Sequence, residues 1–145
     1  MSLKERVQDE MKSAMKNKNT LRLECLRMVK GALLVKEKES ADAVTDEMSI
    51  AVVRAEVKKR QQSLEIFRDL GKTAEVAATE NEIAIINEFL PQQLSEADLE
   101  EKVRAHLVAH PELNHAGKLT GAMKKELGDL ADGRMLNEVC KRVVG

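Results

Sequence analysis

The chain has 145 residues, the size of one ordinary domain, with 24 Lys and Arg against 25 Asp and Glu and a formal net charge of −1. That balance excludes the global basic character that announces many nucleic-acid binders. With no Trp, no Tyr and only Phe67 and Phe89, the core falls to Leu, Val, Ile, Ala and seven Met, a mixture suited to helix-on-helix packing and poorly suited to sheets.

The first segment, about Ser2 to Lys18, repeats Leu3, Val7, Met11 and Met15 every four residues, which predicts a helix with one apolar stripe. Asn17 and Asn19 break it, and Asn19 or Thr20 caps a second helix running to about Lys38. Its stripe is Leu21, Cys25, Met28, Ala32 and Val35, widened by Leu26, Val29 and Leu33, so it is expected to touch two neighbours at the centre of a bundle. Residues 39–47 read as a surface loop, after which Thr45 caps the longest helix, about Glu47 to Leu70, with the seam Ile50, Val53, Val57, Arg60, Leu64, Phe67. Gly71 is its natural stop. Thr73 is expected to cap a fourth helix whose stripe is Val76, Ile83, Ile86 and Leu90, with Phe89 beside it. The link Gly71-Lys72 is too short for anything but an antiparallel hairpin.

Pro91 ends that helix, because it lacks a backbone donor and biases Leu90 out of the helical region. The predicted organisation is an N-terminal helical subdomain over residues 1–93 and a compact three-helix subdomain over 94–145. In the second, Ser95 caps a helix carrying Leu99, Val103, Leu107 and Val108 that stops before Pro111. A sixth helix spans about Ala116–Leu127 with Leu119, Met123 and Leu127 inward and Gly128 as its stop. Asp132-Gly133 turns into a seventh with Leu136, Val139, Cys140 and Val143 inside. No repeat or strand pattern occurs, and the fold class is all-α and multihelical.

The search for chemistry gives mostly exclusions. No apolar run approaches the length of a membrane span, and the N-terminus is charged from its fourth residue, so no membrane partner, no signal peptide and a cytoplasmic location are expected. Cys25 and Cys140 are far apart and fall on apolar stripes, where a free thiol behaves as a small hydrophobe. His106 and His110 have the i, i+4 spacing of a zinc-binding helix, but Leu107 stands where the general base is needed, so no metal is expected. No nucleophile elbow, P-loop or dinucleotide fingerprint is present; the expectation is a non-enzyme without a cofactor.

Three features remain. Arg60 sits on the apolar seam of the third helix and needs a carboxylate; Glu80 on the facing helix is the expected partner, with Glu82 and Glu88 as alternatives. Gly117 and Gly121 give a G-x-x-x-G spacing whose use is close backbone approach, either by a packed helix or by an outside ligand. Basic side chains (Arg54, Lys58, Lys59 and Arg68 on the third helix; Lys118, Lys124, Lys125, Arg134, Lys141 and Arg142 on the last two) could neutralise phosphates. With no aromatics interleaved, stacking on single-stranded bases is largely unavailable, so any RNA ligand would be a folded one.

Residues 26–33 (LRMVKGAL), 58–71 (KKRQQSLEIFRDLG), 80–99 (ENEIAIINEFLPQQLSEADL), 117–127 (GKLTGAMKKEL) and 131–133 (ADG) together resemble the GatB/YqeY family. That family comprises small stand-alone YqeY-like proteins and the C-terminal tail of the B subunit of the glutamine-dependent aminoacyl-tRNA amidotransferase. The likeness to the stand-alone proteins covers essentially the whole chain. The resemblance implies a helical N-terminal part, a three-helix tail and a tRNA contact in the tail through Gly117, Lys118, Gly121, Lys124 and Lys125. It also implies tRNA or another folded RNA, and an amidotransferase or other protein, as partners. The label of carbon–nitrogen ligase with glutamine as amido donor transfers by association only, since the catalytic domains are elsewhere. A helical protein–protein adaptor without RNA binding is the alternative reading.

Overall fold

A computed structural model describes residues 1–145 and contains seven α-helices and no strand: α1 (Leu3–Lys16), α2 (Thr20–Glu39), α3 (Asp46–Asp69), α4 (Thr73–Asn87), α5 (Glu96–Ala109), α6 (Ala116–Leu127) and α7 (Gly133–Val144). A 3₁₀ turn, Gly128–Leu130, joins the last two. The fold is all-α, as the composition predicts. The chain divides into two compact units, Met1–Leu90 and Pro91–Gly145.

Helix starts follow the sequence closely because small polar side chains satisfy the first free N–H groups. Ser2, Asn19, Thr45, Ser95 and Asp132 each accept a backbone N–H from the third residue onward. Helix α6 is capped by His115 instead, and α4 has no side-chain cap: Thr73 lies inside its first turn and Lys72 occupies the cap position without a side-chain bond. Gly71 explains this. At φ +67° it closes α3 with Lys72 N–H donating to Phe67 O and Gly71 N–H to Arg68 O, and the chain enters α4 directly.

In the first unit Leu3, Val7, Leu26, Val29, Leu33, Val53, Ile86 and Phe89 form the core. Two expected stripes are displaced. A strict step of four residues advances about 40° per step around a helix of 3.6 residues per turn, so the α1 row walks off the core. Met15 is accordingly exposed and Ala14 is buried in its place. On α2, the residues Leu26, Val29 and Leu33, with Leu23, take the interior, whereas Leu21, Met28 and Val35 are 70%, 57% and 56% exposed. Both neighbours of α2, namely α1 and the α3–α4 hairpin, pack on one side of it, leaving this second apolar row exposed, with Met28 Sδ accepting from Arg60 Nη2 at 3.6 Å. Ile85 on α4 is buried although the expected stripe omits it.

The α3 seam points inward with Arg60 included, but its partner is not Glu80. Arg60 Nε donates to Glu82 Oε2 at 3.2 Å, Nη1 donates to Glu56 O at 3.0 Å, and the Glu56 carboxylate lies 3.5 Å away. Glu80 instead pairs with Arg68 at 3.1 Å near the hairpin tip. The reason is helical phase: Glu56 is one turn before Arg60 on the same face, and the hairpin register brings Glu82, not Glu80, opposite. Arg22 joins Glu10 and Glu88 at 2.9 and 2.7 Å, and the Glu88 hydrogen bond above all holds its guanidinium more firmly charged than usual.

In the second unit Leu99, Val103, Leu119, Met123, Leu136, Val139 and Cys140 close a separate core. Val108, expected inward, is exposed at the end of α5. The segment before α5 is tied to the 3₁₀ turn by Leu94 N–H donating to Leu130 O at 2.8 Å. Across the outer side, Arg142 of α7 reaches Glu96 (2.9 Å) and Glu100 (3.5 Å) of α5.

Candidate nucleic-acid interface

Helix α6 begins after an extended residue, His115, whose Nδ1 accepts the Gly117 N–H at 3.2 Å. An imidazole thus fills the capping role usually held by Ser or Asp. Leu119, Thr120 and Met123 face the interior. The 3.6-residue period then sends Gly117, Gly121 and Lys124 along one line of the outer face, with Lys118 and Lys125 on the flank beside it. All five are exposed. The structure therefore brings all five sequence-chosen residues onto one continuous surface.

The glycines lie in open space. A Cβ at Gly121 would meet no atom within 4 Å, and one at Gly117 would meet only its own cap, His115, at 3.4 Å. No helix of this chain packs on the pair, so internal close packing, one of the two readings of the G-x-x-x-G spacing, is ruled out within the chain. A glycine inside a helix costs about 0.5–1 kcal/mol relative to alanine. What remains is a shallow furrow of bare backbone, with Lys124 on one side and Lys118 and Lys125 on the other.

The three lysines differ from Lys59, Arg68, Arg104 and Arg142 in having no ion pair. Lys59 contacts Glu56 at 3.0 Å, Arg68 contacts Glu80, Arg104 contacts Glu100 at 3.0 Å and Arg142 contacts Glu96. No carboxylate lies within ion-pair distance of Lys118, Lys124 or Lys125; the nearest acidic neighbour along the helix, Glu126, is turned to His106 at 2.9 Å. Asp132, which could have neutralised this end, spends its carboxylate on the Met135 N–H at 2.9 Å as the cap of α7. A Cβ on Gly133 would lie 3.9 Å from Lys124 Cε, so the Lys124 stem runs past the start of α7. The A-D-G segment thus caps α7 and lies beside the Lys124 stem.

Other candidates resolve into structural roles. His106 bridges α5 to α6 through Glu126, and its ring lies 4.6 Å from that of His110, which faces Glu112 at 3.5 Å. His115 is a cap. No group of three His, Cys, Asp or Glu side chains converges to hold a metal ion. Burial pushes the Cys25 thiol up, away from the thiolate form a nucleophile needs. A cleft of about 470 Å³ beside α5 is lined by Arg104, Leu107, Val108, Pro111, Asn114 and Val143. It offers no nucleophile or acid–base pair, and Arg104 is held by Glu100. The Glu100 carboxyl in turn lies below its usual range because of the hydrogen bond from Arg104, with Arg142 adding to it.

Two contributors were missed from sequence. Glu56 was legible, since it stands four residues before Arg60. The His115 cap had only the weak signal of a polar residue just before a glycine-opened helix. No helix of the chain is long and apolar enough to cross a membrane.

No curated protein matches the chain. Residues 4–144 match the family described as Yqey-like protein, a family not known as a catalytic one. The chain, matched over nearly its whole length, belongs to the YqeY-like family.

Proposed function

We propose that the protein is a non-catalytic accessory protein of the cytoplasm that binds tRNA or another folded RNA through the outer face of α6. The observation that carries this reading is the bare-backbone furrow at Gly117 and Gly121, exposed and flanked by three lysines without carboxylate partners. A phosphodiester backbone is the chemistry that fits: it is anionic, it needs no aromatic stacking, and it gains from approaching a helix that carries no side chain. The likeness of residues 117–133 to the tail of the amidotransferase B subunit points the same way, and an amidotransferase is then a natural protein partner. No amide-transfer chemistry is assigned to this chain, which would require a partner's catalytic domains.

The test is binding of purified protein to total tRNA across a salt series. Neutralising about three phosphates predicts a slope near −3 in log affinity against log salt. The triple variant Lys118→Glu, Lys124→Glu, Lys125→Glu should lose at least about a hundredfold in affinity at low salt. Equal binding by this variant and the wild type would remove the α6 face from consideration. Absence of tRNA binding at low salt would overturn the RNA reading and leave the helical adaptor, whose binding should be nearly indifferent to salt.

A further inference from the structure

The two histidines at the end of α5 have a feature that their packing roles leave unused. His110 closes the helix, its N–H donating to His106 O at 2.9 Å and its carbonyl accepting from Leu113 N–H at 3.0 Å. The backbone between the two rings is therefore fixed. The ring centres are 4.6 Å apart and the planes are tilted by 40°. Each ring turns its Nδ1 edge to a carboxylate: His106 to Glu126 at 2.9 Å and His110 to Glu112 at 3.5 Å. A carboxylate at Nδ1 favours the neutral tautomer with the proton there, which leaves the Nε2 lone pair to coordinate. Metal-binding histidines are commonly oriented from behind in this way.

We infer that His106 and His110 together hold one divalent transition-metal ion of the zinc, nickel and copper class through their Nε2 atoms, with water completing its shell. Metal–nitrogen bonds of about 2.0–2.1 Å, with an angle at the ion between right and tetrahedral, set two such rings roughly 4.5–5.2 Å apart, centre to centre. The observed 4.6 Å lies in that range, so the pair needs little movement to chelate. Imidazole suits these ions; magnesium and calcium prefer oxygen. The zinc-protease reading of the same spacing lacked a glutamate after His106 and a third ligand, but an exchangeable ion on two imidazoles requires neither. Charge favours the site as well, since Glu112 and Glu126 flank the pair against Lys102 one turn before His106. The softer ligands, Cys25 and Cys140, are buried and do not compete. Because His106 faces Glu126 of α6, an ion bound here also tightens the link between α5 and α6. Coordination at Nε2 makes the Nδ1–H a stronger donor to that carboxylate.

Calorimetric titration of the full chain with nickel chloride and with zinc chloride tests this, with circular dichroism confirming that each variant is folded. Wild type should take up one ion per chain. Its Tm should rise with nickel concentration, because an ion that binds the folded state stabilises it. His110→Ala removes a half-exposed ring from the end of the helix and should weaken binding at least about tenfold, as should His106→Ala. The second variant also loses the contact with Glu126, so His110→Ala carries the test if His106→Ala does not fold. Glu126→Gln should weaken binding severalfold, and His115→Asn, which keeps a capping side chain on α6, should bind like wild type. No saturable uptake by wild type up to millimolar ion overturns the inference. Undiminished binding by His110→Ala means an adventitious ion only and overturns it as well. Long-range proton–nitrogen NMR of the loaded protein reads which ring nitrogen is bound, and coordination at Nδ1 overturns the stated arrangement. None of these outcomes depends on RNA binding by α6.

Discussion

Lys59, Arg60 and Arg68 of α3 and the lysines of α6 begin from the same sequence signal, basic residues gathered around an apolar seam, and end in opposite states. On α3, Arg60 is 7% exposed and shared between Glu56 and Glu82, Lys59 leans on Glu56, and Arg68 is fixed to Glu80 across the hairpin. On α6, Lys118, Lys124 and Lys125 stand in water with no carboxylate near them, around two glycines that expose backbone. The difference teaches that counting basic residues says little about ligand binding. What matters is whether the fold has already supplied the counter-charge. A paired cation must break a contact before it meets a phosphate; an unpaired one only sheds solvent and counterions.

The comparison breaks most visibly at Arg60. Arg60→Ala should cost about 3 kcal/mol in urea denaturation, because it leaves Glu56 buried without its partner. Arg60→Met combined with Glu56→Leu should recover most of that loss, since apolar residues replace a buried pair with little penalty. A near-neutral Arg60→Ala would mean that the pair has no structural weight.

Next in size is the α6 triple lysine reversal. Its loss of RNA affinity should come with a stability change of no more than about 0.5 kcal/mol, as expected for surface sites. A comparable loss of stability would mean that these lysines serve the fold and would erase the contrast with α3.

Gly121→Ala sharpens the same point. It should stabilise the protein by about 0.5–1 kcal/mol while weakening tRNA binding severalfold, because the added methyl fills the furrow but touches nothing inside. Stabilisation with unchanged binding would show that the bare backbone is not used. Arg68→Ala, which breaks an exposed pair, should cost no more than about 0.5 kcal/mol.

The smallest effect is one of pH. The Glu100 carboxyl is held below its ordinary value by Arg104, so its contribution is fully present above about pH 4.3 and is lost as pH falls through the lower, folded-state value. Glu100→Gln should flatten the acid limb of the stability curve slightly. An identical acid limb would show that the contact contributes nothing.

Some of this molecule could be read from local spacing and some could not. The cap at Ser95, the stop at Gly71 and the sixth helix at Ala116–Leu127 follow from contacts within four residues, and the structure has them where the sequence puts them. The cap of α4 was misread because the tight closure at Gly71 left no residue free to serve as one. On α2 two apolar rows compete, and nothing local says which one is covered. The five residues of the α6 face were identifiable from their likeness to a known segment, but not the openness of the glycines nor the absence of partners for the lysines.

The sequence by itself determined the all-α class, the seven helices, most of their ends and the membership of the YqeY-like family. Those depend on periodicity, capping chemistry and residue identity, all of which are short-range. Only the tertiary structure decided that Arg60 meets Glu56 and Glu82, that Leu21, Met28 and Val35 face outward, and that Lys118, Lys124 and Lys125 stay unpaired. Each of those depends on which face a neighbouring helix covers and in what register, and that choice is made by packing between segments distant in the chain.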